Sequence, residues 1–198
     1  PDLNVLSQPD CHYYNYSNIP LTNSSISPNA PILSLFHANV RSLNRNFQEL
    51  HNCLNIIESP FSIVALTETW LNESNESLNS LSNYTSINAV RQNRVGGGIS
   101  LYINESLKFK KYPLHQMKQI IECLFIEIIC PNPSNNIVIG VIYRPPSGSI
   151  SDFIVAMSDI LNHVHSKRKT CYLLGDFNID LYKYHSNPDT PEFFDLLY

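Results

Sequence analysis

The 198-residue sequence has no excess of basic side chains: 13 Lys and Arg residues stand against 17 Asp and Glu residues, for a formal net charge of −4. Because Lys and Arg make most contacts to phosphate backbones, composition alone does not indicate a nucleic-acid-binding protein. The sequence also has no apolar run of the roughly 20 residues that a membrane-spanning helix needs, and no signal peptide at its start. These absences argue against a membrane protein and lead us to expect an intracellular one.

Cysteine and histidine are few and lack the spacing of a metal site or a disulfide framework. An odd number of scattered cysteines predicts reduced, mostly buried thiols. The seven histidines, including His163 and His165, have no ligand spacing with cysteine, which argues against zinc. The five cysteines form no C-x-x-C pair: Cys11, Cys53, Cys123, Cys130 and Cys171.

The hydrophobic content of 43% is enough to form the core of one domain. Residues 1–30 are rich in Pro, Ser, Asn and Tyr and have no apolar period, which predicts a flexible leader. Residues 31–198 are predicted to form one domain, and the first residue, Pro rather than Met, leads us to expect that the start of the chain is missing.

Apolar patterns predict strands that mix hairpins with helical crossovers. The short turn over residues 131–136 predicts an antiparallel hairpin, while other strands are separated by helices, so we expect mixed sheets covered by helices. Asn44 is predicted to cap the first helix, and Ser149 or Ser151 the second. The predicted strands are 32–37, 62–67, 96–103, 123–129, 137–143 and 171–175; the predicted helices are 44–58, 151–165 and 191–198, with 72–83 as a loop or short helix.

Polar residues follow several predicted strands at the point where each strand ends. Ligands bind at the carboxyl ends of strands in open sheets with helical crossovers, so parallel strands would bring these residues to one cleft. A carboxylate near an amide oxygen suits Mg²⁺ or Mn²⁺, a second carboxylate can deprotonate water, and Tyr and Asn donors can hold phosphate oxygens. This set suits metal-assisted phosphodiester hydrolysis: Asn39, Glu68, Tyr143, Arg144, Asp176 and Asn178.

Each of these residues also has an ordinary structural interpretation. Glu68 can be a solvated residue or a helix cap, and Asn39 a turn residue. Residues 143–146 and 175–178 can be rigid turns, and the glycines 96–98 a loop that needs conformational freedom. Five basic residues can be solvated surface or contacts to a phosphate backbone: Arg91, Arg94, Lys108, Lys110 and Lys111.

Five segments in this order resemble the endonuclease/exonuclease/phosphatase superfamily, and more narrowly the endonuclease domain of non-LTR (LINE-type) retrotransposons. They are FHANVRSL (36–43), ALTETWL (65–71), GGGISLYI (96–103), VIYRPP (141–146) and LLGDFNIDL (173–181). The forms TETWL and YRPP are typical of those elements. Arg41 stands where repair members of the superfamily carry Asp, which fits the retrotransposon branch.

The resemblance implies an α+β fold, a four-layer α/β sandwich with two mixed β-sheets packed face to face and helices outside, incomplete at the C-terminus. It implies that Asn39 and Glu68 belong to a Mg²⁺ site, with Mn²⁺ as the alternative ion. Tyr143 would contact the scissile phosphate, Asp176 would activate the attacking water, and Asn178 would help to hold phosphate and water.

The implied function is an endonuclease domain that nicks DNA and leaves a 3′-hydroxyl for target-primed reverse transcription. A reverse transcriptase domain would follow in the parent polyprotein, which would act in the nucleus, with the cytoplasm as the alternative. The family ends with an Asp/Ser-Asp-His segment that would lie beyond Tyr198, so this chain is expected to have weak activity or none. Two alternatives stay open: a phosphoesterase acting on RNA or a lipid headgroup, and a non-catalytic degenerate remnant.

Overall fold

The computed structural model describes residues 33–57, 60–91, 96–114 and 121–197. The predicted leader over residues 1–30, Cys11 and Arg94 lie outside these residues. In the described chain, eight strands form two four-stranded sheets. The first sheet contains β1 (Leu35–Asn39), β2 (Ile63–Thr67), β3 (Tyr84–Ala89) and β4 (Ile99–Asn104); the second contains β5 (Phe109–Lys111), β6 (Glu122–Ile128), β7 (Ile137–Tyr143) and β8 (Thr170–Asp176).

Both sheets have mixed strand directions, as predicted. The first has the order β1-β2-β4-β3 and the second the order β5-β6-β7-β8. The pairs β1–β2 and β7–β8 are parallel, and the remaining pairs are antiparallel. The predicted antiparallel hairpin is formed by β6 and β7, and a short 3₁₀ turn connects these two strands.

The sheets pack against each other, and three helices cover their outer faces: α1 (Leu43–Ile56), α2 (Ile150–Ser166) and α3 (Asp189–Leu197). One apolar cluster lies between the sheets, a second lies where α1 meets the first sheet, and a third joins the second sheet to α2 and α3. Strand β2 is buried along its whole length because it packs on both faces, which explains its unbroken apolar sequence. The predicted four-layer α/β sandwich is confirmed.

The predicted Asn44 cap of α1 is wrong. The helix begins at Leu43, its N-cap residue is Ser42, and no side chain caps it. Instead, the backbone N–H groups of Ser42 and Leu43 donate to the carbonyl oxygens of Glu68 and Thr69, each at 2.9 Å. The loop after β2 therefore fixes the start of α1. At α2 the Ser149 alternative is confirmed, because its side chain accepts the N–H of Asp152.

Strands β3 and β5 are absent from the sequence prediction. Both lie at the edge of a sheet, and their sequences, YTSINA and FKK, carry few buried side chains. A strand that buries little apolar surface does not show an apolar pattern, so this kind of element escapes detection.

Cys53, Cys130 and Cys171 are free thiols, but the expectation that most of the cysteines are buried is wrong. Cys123 is buried, whereas Cys53, Cys130 and Cys171 are half-buried. Burial raises the pKa of the Cys171 thiol to about 11. No helix in the described ranges has the length and apolarity to span a bilayer.

Candidate active site

The ends of four strands meet where the two sheets face each other. In the register of the first sheet, Asn39 at the end of β1 pairs with Thr67 at the end of β2. In the second sheet, Tyr143 at the end of β7 pairs with Asp176 at the end of β8. Parallel pairing thus places the last residues of neighbouring strands at one edge of each sheet, as the sequence predicts.

A hydrogen-bond network connects four of the predicted site residues. The Asn39 side-chain Nδ2 donates to Glu68 Oε1 at 2.8 Å and to Asp176 Oδ2 at 2.9 Å. The Tyr143 hydroxyl donates to the same Glu68 oxygen at 3.1 Å. Two of these bonds, Asn39–Asp176 and Tyr143–Glu68, cross from one sheet to the other. The structure therefore brings the four residues together, while their catalytic roles stay predictions.

Tyr143 is a hydrogen-bond donor at neutral pH. It is only 4% exposed, and burial together with the charge of Glu68 raises its pKa to about 12. A protonated phenol can donate to an anionic oxygen, which is the property that the predicted phosphate contact needs.

Asn178 lies next to Asp176 in the loop after β8. Its backbone N–H donates to Asp176 Oδ1 at 3.1 Å, and its side-chain Nδ2 donates to the carbonyl oxygen of Arg144 at 2.7 Å. Both carboxylate oxygens of Asp176 therefore accept hydrogen bonds, one from Asn178 and one from Asn39. These contacts fix the orientation of the Asp176 carboxylate.

The donor set fits a hard divalent ion. Glu68 and Asp176 offer carboxylate oxygens beside the same amide group, and Mg²⁺ is commonly held by one or two carboxylates with water or substrate phosphate filling the other positions. Asn39 presents its amide nitrogen to the carboxylates, so here it bridges them and its predicted role as a metal ligand stays a prediction. Across the four described ranges, no group of three or more His, Cys, Asp or Glu residues could hold a metal ion.

Glu68 lies in a loop that accepts support from two glycines, Gly97 and Gly98. Glu68 and Trp70 have left-handed backbones, with φ of 53° and 54°. The N–H groups of Thr69 and Trp70 donate to the carbonyl oxygens of Gly98 and Gly97, at 3.3 and 2.9 Å. All of residues 96–98 have positive φ, so the predicted need for glycine freedom is confirmed.

Two of the predicted basic surface residues are paired with acids. Arg91 Nε donates to Glu122 Oε1 at 2.7 Å, and the other oxygen of Glu122 accepts the N–H of Gly98 at 2.6 Å. Lys110 Nζ lies 3.0 Å from Glu127 Oε2. Arg91 therefore supports the glycine loop, and Lys110 neutralises a buried carboxylate.

A cavity of about 500 Å³ opens beside the network. His37, Asn39, Asp176 and Asn178 are among its lining residues. The sequence prediction does not include His37, whose ring Nε2 lies 3.3 Å from Thr67 Oγ1. Burial lowers the pKa of His37, and the charge of Asp176 opposes that shift. The space is large enough to admit a phosphate group next to the Asp176 carboxylate.

Arg144 belongs to the predicted set of polar residues at strand ends, but the sequence analysis assigns it no individual role. It is 3% exposed, and its guanidinium donates to the carbonyl oxygens of Phe177 at 2.6 Å, Gly148 at 2.7 Å and Pro145 at 3.2 Å, as well as that of Asn178. Arg144 thus fastens the loop after β7 to the loop that carries Asp176 and Asn178. The sequence signal is a charged residue between a buried strand and two prolines.

We expect Arg144→Lys to lower the free energy of unfolding by about 2 kcal/mol. An ammonium group cannot replace the planar guanidinium, which donates hydrogen bonds to several carbonyl oxygens. Urea unfolding followed by circular dichroism measures this change. Arg45→Lys, on the exposed surface of α1, is the matched control. A loss below about 0.5 kcal/mol for Arg144→Lys would contradict this account.

The sequence matches no protein-family profile and no curated protein. The structure, however, matches solved structures. The endonuclease domain of TRAS1, a telomere-specific non-LTR retrotransposon, superposes with a TM-score of 0.60 at 13% identity, covering 84% of this chain and 69% of that one. The AP endonuclease LMAP from Leishmania major gives a TM-score of 0.67 at 15% identity, covering 83% and 66%.

A phosphatase has the same architecture. The mannosyl-6-phosphatase Bt3783 of Bacteroides thetaiotaomicron VPI-5482 gives a TM-score of 0.57 at 14% identity, covering 83% of this chain and 70% of that one. These solved structures are nucleases and phosphatases. At such low identities the similarity establishes a shared fold.

Proposed function

Because the chain has the endonuclease/exonuclease/phosphatase fold, we propose that it is a divalent-metal-dependent phosphodiesterase domain that nicks DNA. The observation that carries the proposal is the network of Asn39, Glu68, Tyr143 and Asp176 at the meeting point of the two sheets. In the parent protein, the nick would leave a 3′-hydroxyl for a reverse transcriptase domain downstream, and the DNA target implies a nuclear location.

Each residue of the site would have a separate role in the reaction. Glu68 would hold the ion, and a bound Mg²⁺ would polarise the scissile phosphate and neutralise part of its charge. Asp176, fixed by hydrogen bonds on both oxygens, would take the proton of the attacking water. Tyr143 would donate a hydrogen bond to a non-bridging phosphate oxygen, where negative charge develops in the transition state. Asn178 would help to hold the water and the phosphate.

The five motifs in order support DNA as the substrate, and the superposition with the TRAS1 endonuclease domain agrees with them. The fold by itself is also compatible with other phosphoesters, since Bt3783, named as a mannosyl-6-phosphatase, has a similar TM-score. An RNA or lipid-headgroup phosphoesterase and a non-catalytic remnant are therefore the competing outcomes of the test.

A substrate panel with Mg²⁺ or Mn²⁺ tests the proposal. It contains supercoiled plasmid, duplex RNA, a phosphoinositide headgroup and mannose 6-phosphate, at high enzyme concentration. We expect slow plasmid nicking whose 3′ ends a polymerase can extend, lost in Asp176→Asn and retained in Asp159→Asn, a control on the exposed face of α2. Faster hydrolysis of a different substrate would make that compound, rather than DNA, the proposed substrate. No hydrolysis of any substrate would favour the non-catalytic remnant.

A further inference from the structure

Trp70, the only tryptophan in the sequence, is exposed in the loop that carries Glu68. Its side chain is 40% exposed, and it lies two residues after Glu68. Its φ of 54° is unfavourable for a bulky aromatic residue. The hydrogen bond from its N–H to Gly97 holds this backbone in place. Strained backbone of this kind is concentrated at functional sites.

Gly96 lies next to the indole ring of Trp70. The Trp70 Nε1 atom lies 4.0 Å, and an Arg91 guanidinium nitrogen 3.8 Å, from the point where a side chain at Gly96 would begin. A side chain at position 96 would therefore begin in van der Waals contact with the ring nitrogen.

Exposed apolar side chains are common on protein surfaces, so exposure alone does not indicate a ligand. Other exposed apolar residues in the described chain include Ile56, Leu78 and Val155. Trp70 differs from these three in two respects: its backbone is held in the left-handed region, and its loop carries Glu68.

We propose that Trp70 is a stacking surface for an unpaired nucleobase of the DNA strand whose phosphate occupies the Glu68–Asp176 site. This inference rests on the proposed function and deepens it, since an aromatic ring beside the site would recognise a nucleic acid rather than a lipid headgroup. Every base has a π face, so such contact tolerates any sequence. Stacking also supplies affinity that does not depend on basic residues, which suits a chain with a net charge of −4.

Tryptophan fluorescence reports on this contact directly because Trp70 is the only fluorophore of its kind in the chain. The probes are two fluorescein-labelled single strands of equal length, oligothymidylate and a fully abasic strand with the same phosphates. Ca²⁺ replaces Mg²⁺ to prevent cleavage, and anisotropy of the label measures binding independently. We expect the oligothymidylate to quench the emission of Trp70 at saturation and the abasic strand to leave it unchanged.

Variants separate stacking from a general loss of structure. We expect Trp70→Leu to weaken oligothymidylate binding about tenfold, with an unchanged salt dependence because no phosphate contact is lost. Trp70→Phe should weaken it less, because an aromatic face remains. Val155→Ala, an exposed apolar residue on α2, is the matched control and should bind like the parent chain.

The outcomes distinguish the inference from the function on which it rests. Oligothymidylate binding with unchanged Trp70 emission would overturn the stacking inference and leave the nuclease proposal standing. Equal quenching by the abasic strand would do the same. Absence of binding by both strands would overturn the stacking inference, and cleavage in the substrate panel would then decide the fate of the nuclease proposal separately.

Discussion

Glu68→Gln is expected to abolish the binding of Mg²⁺ and Mn²⁺ and to reduce phosphodiester cleavage about 10³-fold, the scale of losing a catalytic group. Glutamine keeps an oxygen at the Oε1 position, so it can still accept hydrogen bonds from Asn39 and Tyr143. The substitution therefore removes the charge and leaves the network in place. Isothermal titration of each ion into the chain and its variant measures binding without any need for turnover.

The control for this experiment is Glu49→Gln, which removes one carboxylate from the exposed surface of α1. This variant should bind both ions like the parent chain, because Glu49 lies outside the network. Equal ion binding by the Glu68→Gln variant and the parent chain would remove the metal from the proposed mechanism.

Gly175→Ala is expected to destabilise the fold by about 3 to 5 kcal/mol, among the largest effects of a single substitution. Gly175 has a φ of 150°, and a Cβ atom there would lie 1.9 Å from the carbonyl oxygen of Ile142. That oxygen belongs to the backbone of β7, paired with Gly175 in β8, and cannot move aside without separating the strands. Thermal and urea unfolding, followed by circular dichroism, measure the loss.

Gly148→Ala is the matched control for Gly175→Ala. Its φ lies outside the left-handed region, and the nearest atom to an added Cβ is the carbonyl oxygen of Pro145 at 3.3 Å. We expect its effect to stay within about 1 kcal/mol. If Gly175→Ala unfolds at the same urea concentration as Gly148→Ala, the strand pairing around Gly175 is looser than the structure shows.

The central strands and the position of the site are predictable from sequence for the same physical reason. Strands β2 and β7 are buried on both faces, so their sequences are continuous apolar runs, and the first polar side chains after each run mark its carboxyl end. Glu68 follows β2 directly, and the Tyr143 hydroxyl reaches it from the end of β7. Sequence order thus indicates which residues meet.

Other features depend on contacts that sequence order does not reveal. The start of α1 is set by backbone bonds to Glu68 and Thr69, so the Asn44 cap is wrong. The acceptors of Arg144 are backbone carbonyl oxygens, which no residue type encodes, and one of them, that of Phe177, is 33 positions away in the sequence. Edge strands such as β5 show no pattern because little of their surface is buried.

The hydrogen bonds that cross the sandwich have a consequence for how the chain tolerates change. Asn39 and Glu68 belong to one sheet, Tyr143 and Asp176 to the other, and the apolar layer between the sheets, including Ala65 and Val141, helps to keep the two sheets in alignment. A shift of less than about 1 Å of one sheet over the other would separate the reacting groups while each sheet stayed intact. Substitutions in that apolar layer would then reduce activity before they unfold the protein, although they lie far from the phosphate.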